Sequence, residues 1–138
     1  MLVLDCSVLM EWIMPDEVTN YAQSVRGAIV QYDIPIMVPT LFFLEAVNVL
    51  EVMERRKRMD ETLVQNALNL LQQLPVTVDS ESSLLPSILR VRQLMRQYTL
   101  SSYDASYLEL AKRRSLPLST LDKALRRAAE AEKVFFVM

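Results

Sequence analysis

Chemistry in this chain, if there is any, has to run on carboxylates. The 138 residues include no histidine and a single cysteine, Cys6, which removes Ser-His-Asp triads, Cys-His nucleophiles, histidine or cysteine zinc sites and internal disulfides. Asp5, Glu45, Asp104 and Asp122 are the acids whose surroundings stand out. Taken singly, most have an ordinary structural explanation. Asp5 follows the apolar run Leu2-Val3-Leu4 and reads as a turn residue. Asp122 follows Leu118-Ser119-Thr120-Leu121 and reads as a helix N-cap. Asp104 stands three residues after Ser101, the capping-box spacing with Asp in place of Glu. Glu45 differs, because Leu41, Phe42, Phe43, Leu44, Ala46 and Val47 surround it and no rotation of a helix leaves it on a wide polar face. Burying such a carboxylate costs several kcal/mol unless it is paired, protonated or bound to a cation, the alternative being a partly exposed glutamate on an interface helix.

The elements that must position these acids follow from periodicity. Residues 2–4 form a short buried strand, and 7–13 a brief helix stopped by Pro15. Asp16 caps a helix to about Tyr32, and 35–38 is the next strand. A long helix from Pro39 or Thr40 fades in the basic run 55–58, where cations suit the helix dipole. Asp60 caps an amphipathic helix with Leu63, Ala67, Leu70, Leu71 and Leu74 on one face, and Pro75 turns into a strand at 76–78. Helices over 81–97, from Ser101, and from Asp122 are separated by strands at Pro117-Leu118 and, finally, at 134–137. Strands alternating with helices predict an α/β fold, one domain over 1–138, with about five mostly parallel strands flanked by helices. In such sheets ligands bind beyond the carboxyl ends of the strands, where Asp5 and Asp122 are predicted to lie. Glu45 and Asp104 lie near the starts of helices that can lean over that edge. A cluster of like charges needs a cation, and hard oxygen donors select Mg²⁺ or Mn²⁺ over zinc. Ser7 and Thr120 can support the ligands with hydroxyls, or be solvated turn positions, and Asn48, one turn after Glu45, can orient that carboxylate.

Composition narrows the setting. The apolar fraction is 51% and glycine appears once, so neither disorder nor a Gly-rich phosphate loop is expected. A net charge of -2 argues against coating nucleic acid by bulk charge. Met1 leads directly into the first strand without a secretory signal, and the longest apolar-dominated stretch, 41–53, is interrupted by Glu45, Asn48 and Glu51 and too short for a bilayer. A cytoplasmic location without membrane contact is expected.

The motifs together resemble PIN-domain ribonucleases, and within them the VapC-like toxins of VapBC toxin–antitoxin pairs. The resemblance runs over essentially the whole chain. It is carried by Val3-Leu4-Asp5-Cys6-Ser7, by Glu45-Ala46-Val47-Asn48-Val49-Leu50, by Tyr103-Asp104-Ala105-Ser106-Tyr107-Leu108-Glu109-Leu110-Ala111, and by Leu118-Ser119-Thr120-Leu121-Asp122 with Leu125 and Ala128-Ala129. Cys6 departs from the alanine or threonine more usual there. The resemblance implies Mg²⁺ or Mn²⁺ held by the same acids, endonucleolytic cleavage of RNA leaving a 5′-phosphate and a 3′-hydroxyl, a homodimer, and a cognate antitoxin that covers the site.

Lys123, Arg126 and Arg127, at helix spacing after Asp122, are candidates for gripping RNA phosphates, against a plain solvated face shared with Glu130. Arg113-Arg114 and the 55–58 run are weaker candidates, and Tyr103 and Trp12 are better read as packed side chains than as base-stacking platforms. Two rivals keep the acids and change the function. An inactive PIN-like domain would only bind RNA or antitoxin. A Mg²⁺-binding receiver-like signalling domain needs adjacent acids after its first strand, whereas Asp5 stands alone; an Asp-x-Asp phosphatase is disfavoured by Ser7.

Overall fold

The computed structural model describes residues 1–14 and 18–138. Apolar runs of only a few residues become the strands β1 (Leu2–Leu4), β2 (Ile36–Pro39), β3 (Val76–Asp79) and β4 (Leu118–Ser119). Among the described residues they form one parallel sheet in the order β3-β2-β1-β4, so β1 is central and pairs with β2 through Leu2 and Ile36 and with β4 through Val3 and Leu118. Every residue of β1 and β2 is buried, as expected of a parallel sheet covered on both faces. The helices that cover it are α1 (Cys6–Ile13), α2 (Asn20–Tyr32), α3 (Phe42–Arg55), α4 (Glu61–Gln73), α5 (Leu85–Tyr98), α6 (Ser102–Arg114) and α7 (Lys123–Ala131).

Local chemistry explains most boundaries. Asp60 caps α4 by accepting from the Leu63 amide at 2.8 Å. Helix α2 starts at Asn20 with Thr19 as its cap, Thr19 being held in turn by Glu11 through its amide and its hydroxyl, each at 2.7 Å. The stop at Pro15 and the cap at Asp16 expected from the sequence lie outside the described residues. Residues 80–83 form a 3₁₀ turn instead of the first turn of α5, because Ser82 Oγ donates to the Asp79 carbonyl at 2.7 Å and accepts from the Thr40 amide at 2.9 Å. Pro86 then sits in the first turn of α5, where its missing N–H is not needed.

The sheet has four strands where about five were expected. At 134–137 the chain makes one parallel bridge, Phe135 to Leu118, through Leu118 N–H to Val134 O and Phe136 N–H to Leu118 O. Strand β4 is only two residues long, and the Phe136 carbonyl is taken by the Tyr21 hydroxyl at 3.0 Å, so the ladder stops there.

Away from β1, a buried ion network ties β3 to α6. The Asp79 side chain is 0% exposed and accepts from Arg113 at 2.6 Å and from Arg114 at 2.9 Å. Arg113 also pairs with buried Glu109 at 2.8 Å, and Glu109 with Arg90 at 3.0 Å. Burial works against ionising Asp79, yet the hydrogen bonds and charges of Arg113 and Arg114 outweigh it and hold the carboxyl below its usual value. Its contribution to stability is therefore present at neutral pH and lost as pH falls through that lowered value. Arg113→Met leaves two buried carboxylates short of a partner and should destabilise by about 3–5 kcal/mol at pH 7. The loss should shrink on acidification, because an Asp79 carboxyl deprived of Arg113 protonates more readily than one that keeps it; urea unfolding at neutral and acidic pH checks both the size and the trend.

Candidate active site

The carboxyl edge of β1 sets the centre of the site. Asp5 directly follows β1 and is the N-cap residue of α1, yet its side chain does not cap that helix and is only 3% exposed. Its Oδ2 instead accepts from Ser7 Oγ at 2.5 Å and from Thr120 Oγ1 at 2.7 Å. The hydroxyls are themselves fixed from the far end of the chain. Ser7 Oγ accepts from the Leu121 amide at 3.0 Å, and Thr120 Oγ1 accepts from the Asp122 amide at 3.1 Å. Pairing of β1 with β4 brings these groups together, since Leu4 is in register with Ser119.

The remaining acids arrive on helices. Asp104 lies in the first turn of α6, its amide donating to the N-cap Ser101 Oγ at 3.1 Å. Asp122 caps α7 through the Leu125 amide at 2.8 Å, so the ordinary reading of this residue holds, and its charge still bears on Asp5 and Asp104. Glu45, half-buried on α3, accepts from the Tyr107 hydroxyl at 3.0 Å and from the Cys6 thiol. Asn48 is exposed and, with Leu44, Val47 and Tyr103, lines a pocket of about 540 Å³ beside Glu45.

The electrostatics are those of an uncompensated cluster. Burial raises the Asp5 pKa, the Ser7 and Thr120 hydrogen bonds work against it, and Asp122 adds to the rise. Burial, then the charges of Asp5 and Asp104, raise that of Glu45 against the hydrogen bonds from Tyr107 and Cys6. Asp104 is pushed up to about 6 by burial and by the charges of Asp5 and Asp122. The charges that weigh most on these three groups are negative. The donor set, all oxygen and all acidic, therefore fits a hard divalent cation in its chemistry. Among the described residues no three acidic side chains stand close enough to hold one ion directly, so a shared ion would need them to draw together or to be bridged by water.

Other candidates fall elsewhere. Lys123 and Arg127 are exposed beside Asp122, whereas Arg126 is engaged with Glu130 at 2.9 Å and lies 4.7 Å over the Phe135 ring. Arg113 and Arg114 belong to the Asp79 network. Trp12 is packed, its indole N–H donating to the Ala22 carbonyl at 2.8 Å, but Tyr103 is 61% exposed, against the expectation of packing. Sequence reasoning missed Tyr107. Its spacing of three residues from Asp104 on one helix face was the available signal, hidden inside an otherwise apolar run.

The model of the PIN-domain family matches residues 2–131, and the chain belongs to that family. Among solved structures it is similar to PAE2754 from Pyrobaculum aerophilum, with a TM-score of 0.67 and 21% identity over 92% of this chain and 83% of that one. It is also similar to FitAcB from Neisseria gonorrhoeae, with a TM-score of 0.65 and 15% identity over 94% of each chain. At these identities the likeness establishes the fold. No curated protein matches the chain at a significant level. Among the described residues no helix is long and apolar enough to cross a membrane.

Without metal, the raised pKa of Asp104 makes its contribution to stability present below about pH 4 and lost as pH rises through about 6. In excess chelator the wild type should therefore lose melting temperature between pH 4 and 7 relative to Asp104→Asn. Parallel melting curves across that range would refute the cluster if they retained a constant separation.

Proposed function

We propose that this PIN domain is a Mg²⁺- or Mn²⁺-dependent endoribonuclease and the toxin of a type II toxin–antitoxin pair. The observation that carries the reading is the buried Asp5 carboxylate, held by the Ser7 and Thr120 hydroxyls at the sheet's carboxyl edge with the charge of Asp122 acting on it. PIN domains are in general metal-dependent nucleases, and this chain retains an acid at every position of the family pattern quoted above.

Asp5, Glu45 and Asp104 are the ligands of the principal ion in this reading, directly or through water, and Asp122 supports it or a weaker second one. A divalent cation held there supplies charge neutralisation at the scissile phosphate and acidifies the attacking water. Ser7 and Thr120 fix the orientation of Asp5. Exposed Lys123 and Arg127, one helical turn apart, suit phosphates flanking the scissile one. No side chain of the protein needs to act as nucleophile, in keeping with a chain that lacks histidine and buries its one thiol. That free buried thiol also suits a reducing cytoplasm.

Purified protein should cleave single-stranded RNA in Mn²⁺ or Mg²⁺, leaving 5′-phosphate and 3′-hydroxyl ends, and excess chelator should abolish the cut. Asp5→Asn and Asp104→Asn should each lower the rate by at least about a hundredfold, the equivalent of losing about 2.7 kcal/mol or more of metal-assisted stabilisation. RNA bound but left intact under all metal conditions would favour the inactive binding module instead.

Leu44 and Val47 are 77% and 48% exposed on one strip of α3, an apolar surface that suits a second copy of the chain, with the antitoxin covering the acids nearby. Sedimentation should show a dimer at micromolar concentration, and Leu44→Lys should shift it to monomer with little change in melting temperature. A wild type that stays monomeric at high concentration would remove the dimer and leave the nuclease reading intact.

A further inference from the structure

Glu45 is the most loosely built of the candidate ligands. Its side chain is long and half-buried, it approaches the site from α3, and the charges of Asp5 and Asp104 push on it. Charge repulsion of this kind favours an outward rotamer, and three rotatable bonds offer several. Something must hold the carboxylate inward.

The Tyr107 hydroxyl is placed to do so. Its ring is 0% exposed, packed within the core cluster, and has few torsions of its own, so the oxygen at its tip is a fixed point. That oxygen lies 3.0 Å from Glu45 Oε1 and donates to it. Tyr107 and Asp104 stand three residues apart on α6, on neighbouring positions of one helical face. The helix that carries one candidate ligand therefore also carries the group that fixes another.

We propose that Tyr107 is a positioning residue that couples α6 to α3, setting where Glu45 stands relative to Asp104 and thereby the affinity of the site for a divalent ion. The bond is made to Oε1 alone of the two carboxylate oxygens. Outer partners that orient a ligand in this way typically govern affinity by about 10–100-fold. The inference rests on the metal-dependent reading of the site but concerns a residue that reading does not require.

The test is Mn²⁺ binding, followed by the paramagnetic signal of free Mn²⁺, in wild type, Tyr107→Phe, Glu45→Gln and the double variant. Tyr107→Phe keeps the ring, and its fold is checked by melting in chelator. It should weaken Mn²⁺ binding by about tenfold or more, and the double variant should bind no more weakly than Glu45→Gln alone, because the hydroxyl acts only through that carboxylate. Wild-type affinity in Tyr107→Phe, or weakening that adds in full to that of Glu45→Gln, would overturn the proposal while leaving the metal site standing. A wild type that takes up no Mn²⁺ would overturn both. A second measurement needs no variant: the buried hydroxyl proton of Tyr107 should give a slowly exchanging NMR resonance that moves as Mg²⁺ is added, and a resonance unmoved at saturation would likewise defeat the coupling.

Discussion

Burying a carboxylate at the end of a central strand is the constraint from which the rest of this structure follows. Asp5 has lost nearly all contact with water, and two hydroxyls replace that water, one local and one from the opposite end of the chain. For Thr120 to reach it, β4 must lie against β1 in a fixed register, and for Ser7 to reach it, α1 must begin immediately after the strand. A hydroxyl offers a hydrogen bond without a compensating charge. The arrangement therefore keeps the carboxylate in place and leaves its negative field available, which an arginine in the same position would have cancelled.

The contrast with Asp79 makes the point. Both aspartates stand at the carboxyl ends of strands of one sheet, Asp79 as the last residue of β3 and Asp5 just after β1, and both are buried. Asp79 is met by Arg113 and Arg114 and held below its usual pKa, whereas Asp5 is met by hydroxyls and acids and is raised above it. The first arrangement ties α6 to β3 and spends its charge on cohesion. The second stores charge. Helix α6 takes part in both, with Asp104 in its first turn and Arg113 in its last, so anchoring one end of the helix also fixes what the other end presents.

Much of this was legible in the sequence, because short apolar runs bounded by turn and cap residues encode strands and helix starts locally. Asp60 and Asp122 announce their helices by position alone, and the structure finds each bonded to the amide three residues on. What required two distant segments at once was not legible. The apolar run at 134–137 has the pattern of a strand, but its extent depends on the two-residue partner β4 and on a hydroxyl from α2. The start of α5 likewise shifted because Ser82 bonds across to Thr40. At the site, Asp5, Asp104 and Asp122 could be placed from their positions next to strands and caps. The partner of Glu45 could not: Tyr107 is apolar along its ring and polar at its tip, and its position in an apolar run reveals only the ring. Tyr103, four residues earlier, shows the reverse error, since an aromatic residue near a cluster of apolar neighbours was expected to pack and stands largely in solvent.

The hydrogen bond from Thr120 to Asp5 spans 115 residues, nearly the length of the chain. A chain cut short before β4 therefore leaves the first strand without its β4 neighbour and Asp5 without the hydroxyl that orients it. Asp122 is lost with them, so segments more than a hundred positions apart have to meet before the acidic edge is assembled.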